Sequence, residues 1–525
     1  MFKFPILIVC PFSILVNICP AYSSPVQEVN SIKSSPEFSI PSLKVDLENS
    51  AQHKNILKLL DKLNVSVSEY EENAQPISIE SALQRTLSFN PSLDSLRYNI
   101  LSDYNVFKAS KSEWYPQISA QSVNPGYGKV YTNQRTGTYP GQTQEDFIQN
   151  SIYQDQVQLA PNLIIAWKFF DLSRQPSINA NFQILKQRQY LYAASVRSQL
   201  LSVQQDYYSV QASSMLINLY KPLLQNLIRE YTVILAKYEP ALIDLGSVSQ
   251  TRAQLFLTLN QMIGYYNDLY KTSSDLANSI GASPDSLFRP NDKLTPTSAW
   301  KPSLKQTIIE AEASREEIAA ALAVAKSSEE LSVSLLNKYF PTFSLVATTG
   351  ISSTWGSSSN SEYKERQFVN QTIKESYTNR NTSSIGVNFS WSIFDGGKNL
   401  FTSKSKKALA DKYFSDVSVQ RNTVAQQVRT AYSKFLTSQL QLTSASEALK
   451  SSKSAQEAAL ERFRVGVSDI TTFIQTIQLY TNAASSYTNA LRDYNTSVAQ
   501  LYRYSSVFPL DSATINAKSL YLVDY

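Results

Sequence analysis

Alternating apolar and polar positions predict a small number of β-strands. Between residues 385 and 393, large apolar side chains alternate with small or polar ones, as expected of a strand with one apolar face. A looser alternation runs from 159 to 169, where Pro161 and Ile164 interrupt it. The apolar positions are Ile385, Val387, Phe389, Trp391 and Ile393 in the later segment, and Leu159, Leu163, Ile165, Trp167 and Phe169 in the earlier one.

Two long stretches rich in Ala, Ser, Gln and Leu, with interspersed charges, predict helices that pack side by side. The first covers about 172–280 with a turn near Gly246, and the second covers about 400–504 with a turn near Gly466. As an α-helix, the arm from 172 to 238 would alone reach about 100 Å at 1.5 Å per residue. Helical hairpins of this length favour a tube over a soluble four-helix bundle.

The chain contains a tandem duplication. Trp167 begins the sequence WKFFD and Trp391 begins WSIFD. Pro116 in WYPQIS matches Pro341 in YFPTFS, and the separation of the prolines (341 − 116) exceeds that of the tryptophans (391 − 167) by only one. Two further pairs of segments are as far apart in the sequence as the two prolines. They are VQQDY at 203–207 with VRTAY at 428–432, and KY at 237–238 with RF at 462–463. Both halves are therefore expected to fold alike.

Each half has the same order of predicted elements. A helical stretch, 79–113 or 303–338, ends at an aromatic-proline step that stops a helix and favours an extended start. Two strands and one long helical hairpin follow. The predicted strands are 116–126, 157–170, 341–350 and 384–394, and the stretches 121–157 and 350–383, rich in Ser, Thr, Asn, Gln and Tyr, are predicted as surface loops between strands.

Four predicted strands per chain are too few to close a β-barrel, and an open sheet edge is not tolerated in lipid. Three chains would supply twelve strands, an even number within the range of outer-membrane barrels. The alternative is an ordinary β-sandwich with the apolar face inside, but the strands are separated by very long helical stretches. The strand count therefore favours a trimer.

The N-terminal residues have the composition of a secretory signal. Lys3 is followed by an interrupted apolar run and by a small-x-small cleavage site at 21–23. Cleavage there would remove Cys10 and Cys19, so the mature chain would hold no disulfide and no thiolate metal site. Lipidation of Cys19 is an alternative, although the preceding Ile18 is bulky where lipoprotein signals need a small residue.

Composition argues against an enzyme and against a nucleic-acid-binding protein. The only histidine is His53, so neither a histidine-based catalytic triad nor a zinc site can be assembled from the usual ligands. Gly396-Gly397 lacks the spacing of a phosphate-binding loop. The net charge of +5 is spread without a basic stripe. No catalytic, metal or cofactor site is predicted, and no later segment offers about 20 uninterrupted apolar residues.

Several motifs resemble those of the TolC-like outer-membrane efflux proteins, and the resemblance covers about residues 77–508. The matching segments are ISIESAL at 77–83 with NPSL at 90–93, like the opening helix; WYP at 114–116, like the start of the first strand; FDGGK at 394–398, like the strand exit; and RFRVG at 462–466, like the inner turn of the second hairpin. The resemblance implies mixed α and β structure: a homotrimer whose 12-stranded β-barrel continues into a long α-helical periplasmic tunnel.

The resemblance also implies a function. The chain is expected to form the exit duct of a tripartite efflux or type I secretion system, with the barrel in outer-membrane lipid and a gated entrance in the periplasm. A periplasmic adaptor (membrane fusion) protein and an inner-membrane pump would dock at the inner end, and cargo would pass without chemistry. The alternative is a periplasmic coiled-coil adaptor or stalk with no channel of its own, although such adaptors carry one hairpin with sheet domains at its base.

The resemblance implies that two positions of this sequence line the constricted entrance. Where the best-studied branch of the family has two aspartates, this chain has Thr472 and Gln475. Asp469, three residues earlier, and Asp244, at the matching turn of the first half, are the candidates for an acidic ring that attracts cations. A solvated aspartate at a helix tip is the alternative for both.

The remaining expected sites follow the same resemblance. Adaptor docking at the helix tips is expected at Gly246, Ser247, Val465 and Gly466; lipid contact at Ile385, Val387, Phe389, Trp391 and Ile393; and strand-to-helix turns at Asp171, Asp395, Gly396 and Gly397. The predicted domains are a signal peptide (1–23), a partly disordered extension (24–76) with an amphipathic helix at about 52–63, a first repeat (77–285), a linker (286–302), a second repeat (303–508) and a C-terminal tail (509–525).

Overall fold

The protein is described from a computed structural model. The structure describes residues 58–59, 61–63, 65–122, 126–136, 148–283, 285–364 and 367–505. The chain divides into two units, Met1–Lys62 and Leu63–Tyr525. The described residues of the first unit are helical, as are 63 and 65–73 at the start of the second. The predicted signal peptide, most of the predicted extension, His53 and the predicted C-terminal tail lie outside the described residues.

The second unit contains a duplicated set of elements. In chain order they are β1 (Gln75–Ile77), α1 (Ile79–Phe89), α2 (Pro91–Ser112), β2 (Gln117–Ser122), β3 (Gly126–Thr136), β4 (Ile148–Leu159), β5 (Pro161–Phe170), α3 (Arg174–Tyr238), α4 (Leu245–Ser279), β6 (Phe288–Pro290), α5 (Leu304–Ser314), α6 (Glu316–Asn337), β7 (Thr342–Lys364), β8 (Gln367–Ser390), α7 (Lys398–Arg464) and α8 (Ile470–Ser505). None of the described helices is both long and apolar enough to cross a membrane.

The first helical stretch of each repeat is two helices, where the sequence predicted one. The helices break at Asn90 and at Arg315. These two residues are as far apart in the sequence (315 − 90) as the matching prolines, so the breaks lie at equivalent positions of the two repeats. At the first break, the Asn90 side chain accepts a hydrogen bond from Ser92 N at 2.9 Å, and Pro91 occupies the first turn of α2. Proline disfavours helical backbone in the residue before it, so Asn90 ends α1 and caps α2.

The main sheet has an antiparallel hairpin from each repeat. β2 pairs with β5 and β7 pairs with β8, and the two hairpins are joined through β5 and β7. β3 and β4 extend the first hairpin, and β4 also pairs with β7. The lateral order β2-β5-β7-β8 is repeated in the helices below, where α3 contacts α2 and α6, and α6 contacts α7.

The strands are longer than predicted. Much of the two predicted loops, 121–157 and 350–383, is strand, because β3, β4, β7 and β8 run through them. These segments lack apolar alternation, but short polar side chains hydrogen-bond across the sheet near their start, as in Thr348 with Ser384 at 2.7 Å and Thr349 with Ser383 at 2.9 Å. Cross-strand polar pairs of this kind stabilise a sheet without any hydrophobic pattern.

Each repeat contains one long helical hairpin. α3 and α4 form the first and α7 and α8 the second, with turns at 239–244 and 465–469. Apolar clusters hold the helices together, including one around Trp300, Phe435 and Tyr494. Close to the Arg315 break, the Arg197 Nε donates to Glu316 Oε1 at 2.7 Å, and both side chains are buried.

Glu317 lies between two guanidinium groups beside this break. Arg315 Nη2 donates to Glu317 Oε1 at 2.9 Å, and Arg503 Nη2 donates to the same oxygen at 2.7 Å. Burial alone would raise the pKa of Glu317, but the hydrogen bonds and charges of the two arginines lower it to about 2, from an ordinary value of 4.5. This carboxylate therefore connects the start of α6 with the end of α8.

Replacing Glu317 with glutamine is expected to lower the free energy of unfolding by about 2 kcal/mol at pH 7. Because the folded-state pKa is depressed, the stabilisation is complete above the unfolded value of 4.5 and is lost as the pH falls towards about 2. Urea unfolding in detergent at several pH values measures this. The exposed Glu312→Gln change in the neighbouring α5 is the control. A stability difference that stays constant from pH 7 to pH 3 would contradict the prediction.

Candidate functional site

One face of the sheet is apolar and exposed. Ile165 lies opposite Ile118 on one side and Ala347 on the other, and Ala347 in turn lies opposite Ile385, so the apolar positions of four strands form one continuous surface. Ile385 is 74 % exposed and Val387 62 % exposed. The opposite face carries mostly small and polar residues: Ser344, Val346, Thr348, Gly350, Ser384, Gly386 and Asn388. A continuous exposed apolar surface of this kind marks an interaction site.

Aromatic side chains bound this apolar face at both ends. Phe343 and Phe389 have ring centroids 5.2 Å apart at the helical end, and Trp355 and Tyr377 are 5.5 Å apart towards the far end. Phe343 and Trp355 are twelve positions apart on β7 (355 − 343), which is about 40 Å along a strand. At the 35–45° tilt of membrane barrels, this becomes roughly 30 Å. That height suits a lipid-facing band between two aromatic girdles.

Two of the five predicted lipid-facing residues lie beyond their strand. Ile385, Val387 and Phe389 belong to β8, whereas Trp391 and Ile393 follow its end at Ser390. Both are exposed. Trp391 Nε1 donates to Tyr339 O at 2.9 Å, as Trp167 Nε1 does to Trp114 O at 2.9 Å in the first repeat.

An aspartate organises each strand-to-helix turn. Asp395 accepts hydrogen bonds from Gly397 N at 3.0 Å, from Asn399 N at 2.9 Å and from the Tyr339 hydroxyl at 2.7 Å. The hydrogen bond from the Asn399 backbone N–H, together with those from Tyr339 and Gly397, lowers the pKa of the Asp395 carboxyl. Gly396 and Gly397 have φ values of 70° and 84°, which glycine adopts most readily.

The first repeat makes the equivalent turn without glycine. Asp171 Oδ1 accepts from Ser173 N at 2.9 Å and from Ser173 Oγ at 2.7 Å, and α3 begins at the next residue. Lys168 Nζ donates to Asp171 Oδ2 at 3.3 Å. Although burial opposes it, the hydrogen bonds from Ser173 lower the pKa of Asp171.

The two aspartates predicted near the entrance are at helix N-termini. Asp244 Oδ1 accepts from Ser247 N at 2.9 Å, and Asp469 Oδ1 accepts from Thr472 N at 3.0 Å. The hydroxyls of Ser247 and Thr472 donate to the same carboxylates, and these bonds lower the pKa of both. Thr472 thus contacts Asp469, while Gln475 is exposed further along α8. Both carboxylates therefore cap the helices at the tips and stay ionised.

The helix tips themselves are built alike in the two repeats. Ala241 and Gly466 adopt left-handed backbone, with φ of 61° and 77°, and they have the same separation as the matching prolines (466 − 241). The next residues, Leu242 and Val467, donate backbone hydrogen bonds to Lys237 O at 3.0 Å and to Arg462 O at 2.9 Å. This is a Schellman-type helix ending. Among the residues expected at the docking tips, Val465 and Gly466 lie at this ending, whereas Gly246 and Ser247 belong to the first turn of α4.

Replacing Gly466 with alanine is expected to lower the free energy of unfolding by about 1 kcal/mol, because a Cβ strains left-handed backbone. There is open space around an added Cβ, so the effect comes from the backbone alone. Ala241→Gly should have the opposite sign. Urea denaturation measures both. Gly264→Ala, inside α4 with equally open surroundings, is the matched control and should stabilise by up to about 1 kcal/mol. Equal effects at 264 and 466 would contradict the account.

No pattern in the sequence indicated the contacts between the two hairpins. Arg464 at the end of α7 donates through Nη2 and Nε to Glu230 Oε1 on α3, at 2.6 and 3.1 Å. The Glu230 side chain is 3 % exposed and that of Arg464 is 45 % exposed. Uncharged bonds continue the contact: Thr471 donates to Gln250 at 3.2 Å, Gln478 to Gln254 at 3.2 Å, and the Tyr220 hydroxyl to Thr481 O at 3.3 Å.

The chain is similar to known proteins in sequence and in fold. Residues 307–506 match the family model described as outer membrane efflux protein. The resemblance to the TolC-like outer-membrane efflux family is confirmed. This efflux-family match covers the second repeat, and the constant separation of the matching motifs connects the first repeat to it. No curated protein matches the chain.

Solved structures with the same fold include three outer-membrane proteins. The outer-membrane channel OprN has 16 % identity and a TM-score of 0.62, with 81 % of this chain and 89 % of that chain covered. The CmeC outer membrane channel of Campylobacter jejuni has 16 % identity and a TM-score of 0.62, with 81 % and 85 % covered. VceC of Vibrio cholerae has 14 % identity and a TM-score of 0.61, with 81 % and 95 % covered. The likeness of fold to these structures therefore spans both repeats.

Proposed function

We propose that this chain is one subunit of an outer-membrane channel, the exit duct of a tripartite efflux or type I secretion system. The observation that carries the proposal is the exposed apolar sheet face with an aromatic pair at each end. Water disfavours such a face, whereas the hydrocarbon core of a membrane stabilises it. The opposite face, with its small and polar residues, suits the wall of an aqueous duct through which cargo passes without chemistry.

The sheet edges support a homotrimer. In the described sheet, β2 and β8 each have a neighbouring strand on one side only. Unpaired backbone groups at such edges are costly in lipid, so the sheet must close on other copies of the chain. Three copies, each four strands wide, make a 12-stranded β-barrel, a size at which outer-membrane barrels close. The helical layers would continue as one tunnel because they share the lateral order of the strands.

The orientation of the chain in the membrane follows from the positions of its sheet and of its long helical hairpins. With the sheet in outer-membrane lipid, the long hairpins project into the periplasm. Their tips expose Leu242 and Val467, which are apolar and stand directly after the left-handed residues. These side chains suit docking of a periplasmic adaptor protein, which would in turn connect to an inner-membrane pump. The docking residues include Gly246, Ser247, Val465 and Gly466.

The entrance is proposed to lie at the same tips. Asp244 and Asp469 would place carboxylates around the inner opening in each copy, with Thr472 and Gln475 beside them on α8. Three copies of an ionised carboxylate attract cations. The contact between Arg464 and Glu230 holds the second hairpin against the first, and its release would let the tips move apart.

Single-channel conductance of the purified full chain in a planar bilayer tests the proposal. Small, cation-preferring channels that are mostly closed are expected. Folded protein without channel activity would overturn the proposal and favour a periplasmic coiled-coil adaptor or stalk. That alternative does not account for an exposed apolar sheet or for two long hairpins in one chain.

A further inference from the structure

A cavity lies where α3, the start of α6 and the end of α8 meet. Its volume is about 410 Å³, and Glu317 of α6 and Arg503 of α8 line it together with one face of α3. Apolar side chains of α3 lie beside hydroxyl and amide groups there. A cavity of this size, with apolar walls and a few polar groups, is typical of a small-molecule site. The lining residues of α3 are Leu191, Ala194, Ser195, Ser198 and Gln199.

Arg503 carries a buried donor that has no acceptor. Its side chain is 9 % exposed. Arg503 Nε and Nη2 donate to Ser198 Oγ at 3.1 and 3.0 Å, and Nη2 also donates to Glu317 Oε1 at 2.7 Å. In the part of the chain that the structure describes, Arg503 Nη1 is buried and has no hydrogen-bond partner. A buried donor of this kind costs free energy until an acceptor reaches it.

Positive charge exceeds negative charge beside the cavity. Glu316 pairs with Arg197 at 2.7 Å, and Glu317 pairs with Arg315 at 2.9 Å and with Arg503 at 2.7 Å. All five side chains are mostly buried. Within this group, three guanidinium groups face two carboxylates, which leaves one positive charge in excess (3 − 2). Buried charge of one sign favours the uptake of an ion of the other sign.

The first turn of α6 adds to the positive potential. α6 begins at Glu316, and its N-cap residue, Arg315, makes no side-chain hydrogen bond to that turn. Backbone N–H groups and the helix dipole make such a terminus attractive to anions. Glu317 lies in this turn and also lines the cavity, so the helix terminus and the unpartnered Arg503 donor belong to the same site.

We infer that this cavity binds a small oxyanion, the phosphate or carboxylate group of a small molecule. Arg503 would donate to it through Nη1, and the Ser195 hydroxyl would donate from α3. Leu191 and Ala194 would contact the organic part of a larger ligand. The anion would balance the excess positive charge and give Arg503 Nη1 its missing acceptor. Binding would therefore hold α3, α6 and α8 together more tightly.

Thermal unfolding of the full chain in a non-ionic detergent tests the site, with inorganic phosphate as the probe. Phosphate should raise the unfolding midpoint in a saturable manner, relative to sodium chloride at the same ionic strength. Arg503→Gln removes the donor and the charge and should abolish this shift. Because Arg503 also contacts Glu317, a second variant is needed. Ser195→Leu fills the cavity from α3, leaves that contact in place and should abolish the shift as well.

The matched control is Arg492→Gln. Arg492 lies on the same helix α8, is paired with Asp493 at 2.9 Å and does not line the cavity. This variant should show the full phosphate-dependent shift. Acetate in the same titration separates recognition of a carboxylate from recognition of phosphate.

Each outcome decides the inference. A saturable shift with phosphate or acetate that both cavity variants lose, and that Arg492→Gln keeps, supports it. Equal shifts with chloride overturn it, because a general salt effect would explain them. An equal phosphate shift in the native protein and in both cavity variants indicates an adventitious ion only, and overturns it. The absence of any shift in the native protein also overturns it and leaves water as the acceptor of Arg503 Nη1.

Discussion

Replacing Arg464 with alanine is expected to open the entrance of the channel. The change leaves the buried Glu230 carboxylate without its guanidinium partner while the tips are closed. Truncating one member of a buried ion pair costs about 3–5 kcal/mol, and the half-exposed position of Arg464 reduces this to roughly 2 kcal/mol here. Separation of the hairpins rehydrates the carboxylate. The open population should therefore rise about thirtyfold.

Single-channel recording measures this as open probability. Arg421→Ala, at an exposed position on the same helix α7, is the matched control and should behave as the native channel does. Adding Glu230→Gln to Arg464→Ala removes the unpaired charge and should restore most of the closed state. If Arg464→Ala and Arg421→Ala gave the same open probability, the Glu230 contact would not hold the entrance closed.

Replacing Phe389 with lysine is expected to destabilise the membrane-inserted protein by about 2–4 kcal/mol, because the proposed function places this residue against lipid within the apolar band. Phe389 is 53 % exposed on the apolar face and packs against the Phe343 ring. The midpoint of urea unfolding in lipid vesicles should fall accordingly. Fewer folded trimers should also be recovered from the same amount of protein.

Asn388→Lys is the control for this substitution, because it places the same charge on the adjacent residue of β8 and on the opposite face. It should fold normally and shift ion selectivity towards anions, since its charge would enter the duct. If Phe389→Lys inserted as well as Asn388→Lys, the strand would be in the opposite phase and the apolar face would not be the lipid-facing one.

The duplication was the most informative property of the sequence. Matching tryptophans and prolines placed Trp167 with Trp391 and Pro116 with Pro341, and in the structure each tryptophan makes the same hydrogen bond and each hairpin has the same register. Helix positions were also predictable, because long helices carry composition and periodic apolar positions over many turns. In the structure, the two hairpins run from Arg174 to Ser279 and from Lys398 to Ser505.

Strand length was not predictable from the apolar pattern. β7 runs to Lys364, well past the predicted end at about 350, through a segment rich in Ser and Thr. Its upper part is stabilised by cross-strand pairing with β8 and β4, which local sequence does not encode. Conversely, β8 ends at Ser390, before Trp391 and Ile393, although the alternation continues. The apolar pattern records which face a residue prefers, whereas the extent of a strand depends on whether a neighbour is present.

At the candidate entrance, too, the sequence predicted the positions of the residues but not their contacts. The positions of Asp244 and Asp469 followed from the matching turns, but their role as helix caps emerged only when each carboxylate was seen to accept a backbone N–H. The Arg464–Glu230 contact joins residues 234 positions apart. Neither residue stands out among the many charges of the helical arms.

Local composition, periodicity and motifs were enough to establish the repeat, the order of helices and strands, the apolar face of the sheet and the resemblance to an efflux family. Each segment carries these properties independently of its surroundings. The breaks at Asn90 and Arg315, the length of the strands, the contact between the hairpins and the unequal ends of β5 and β8 became visible only in the folded chain. These features depend on which surfaces meet, and a pairing free energy belongs to two segments at once.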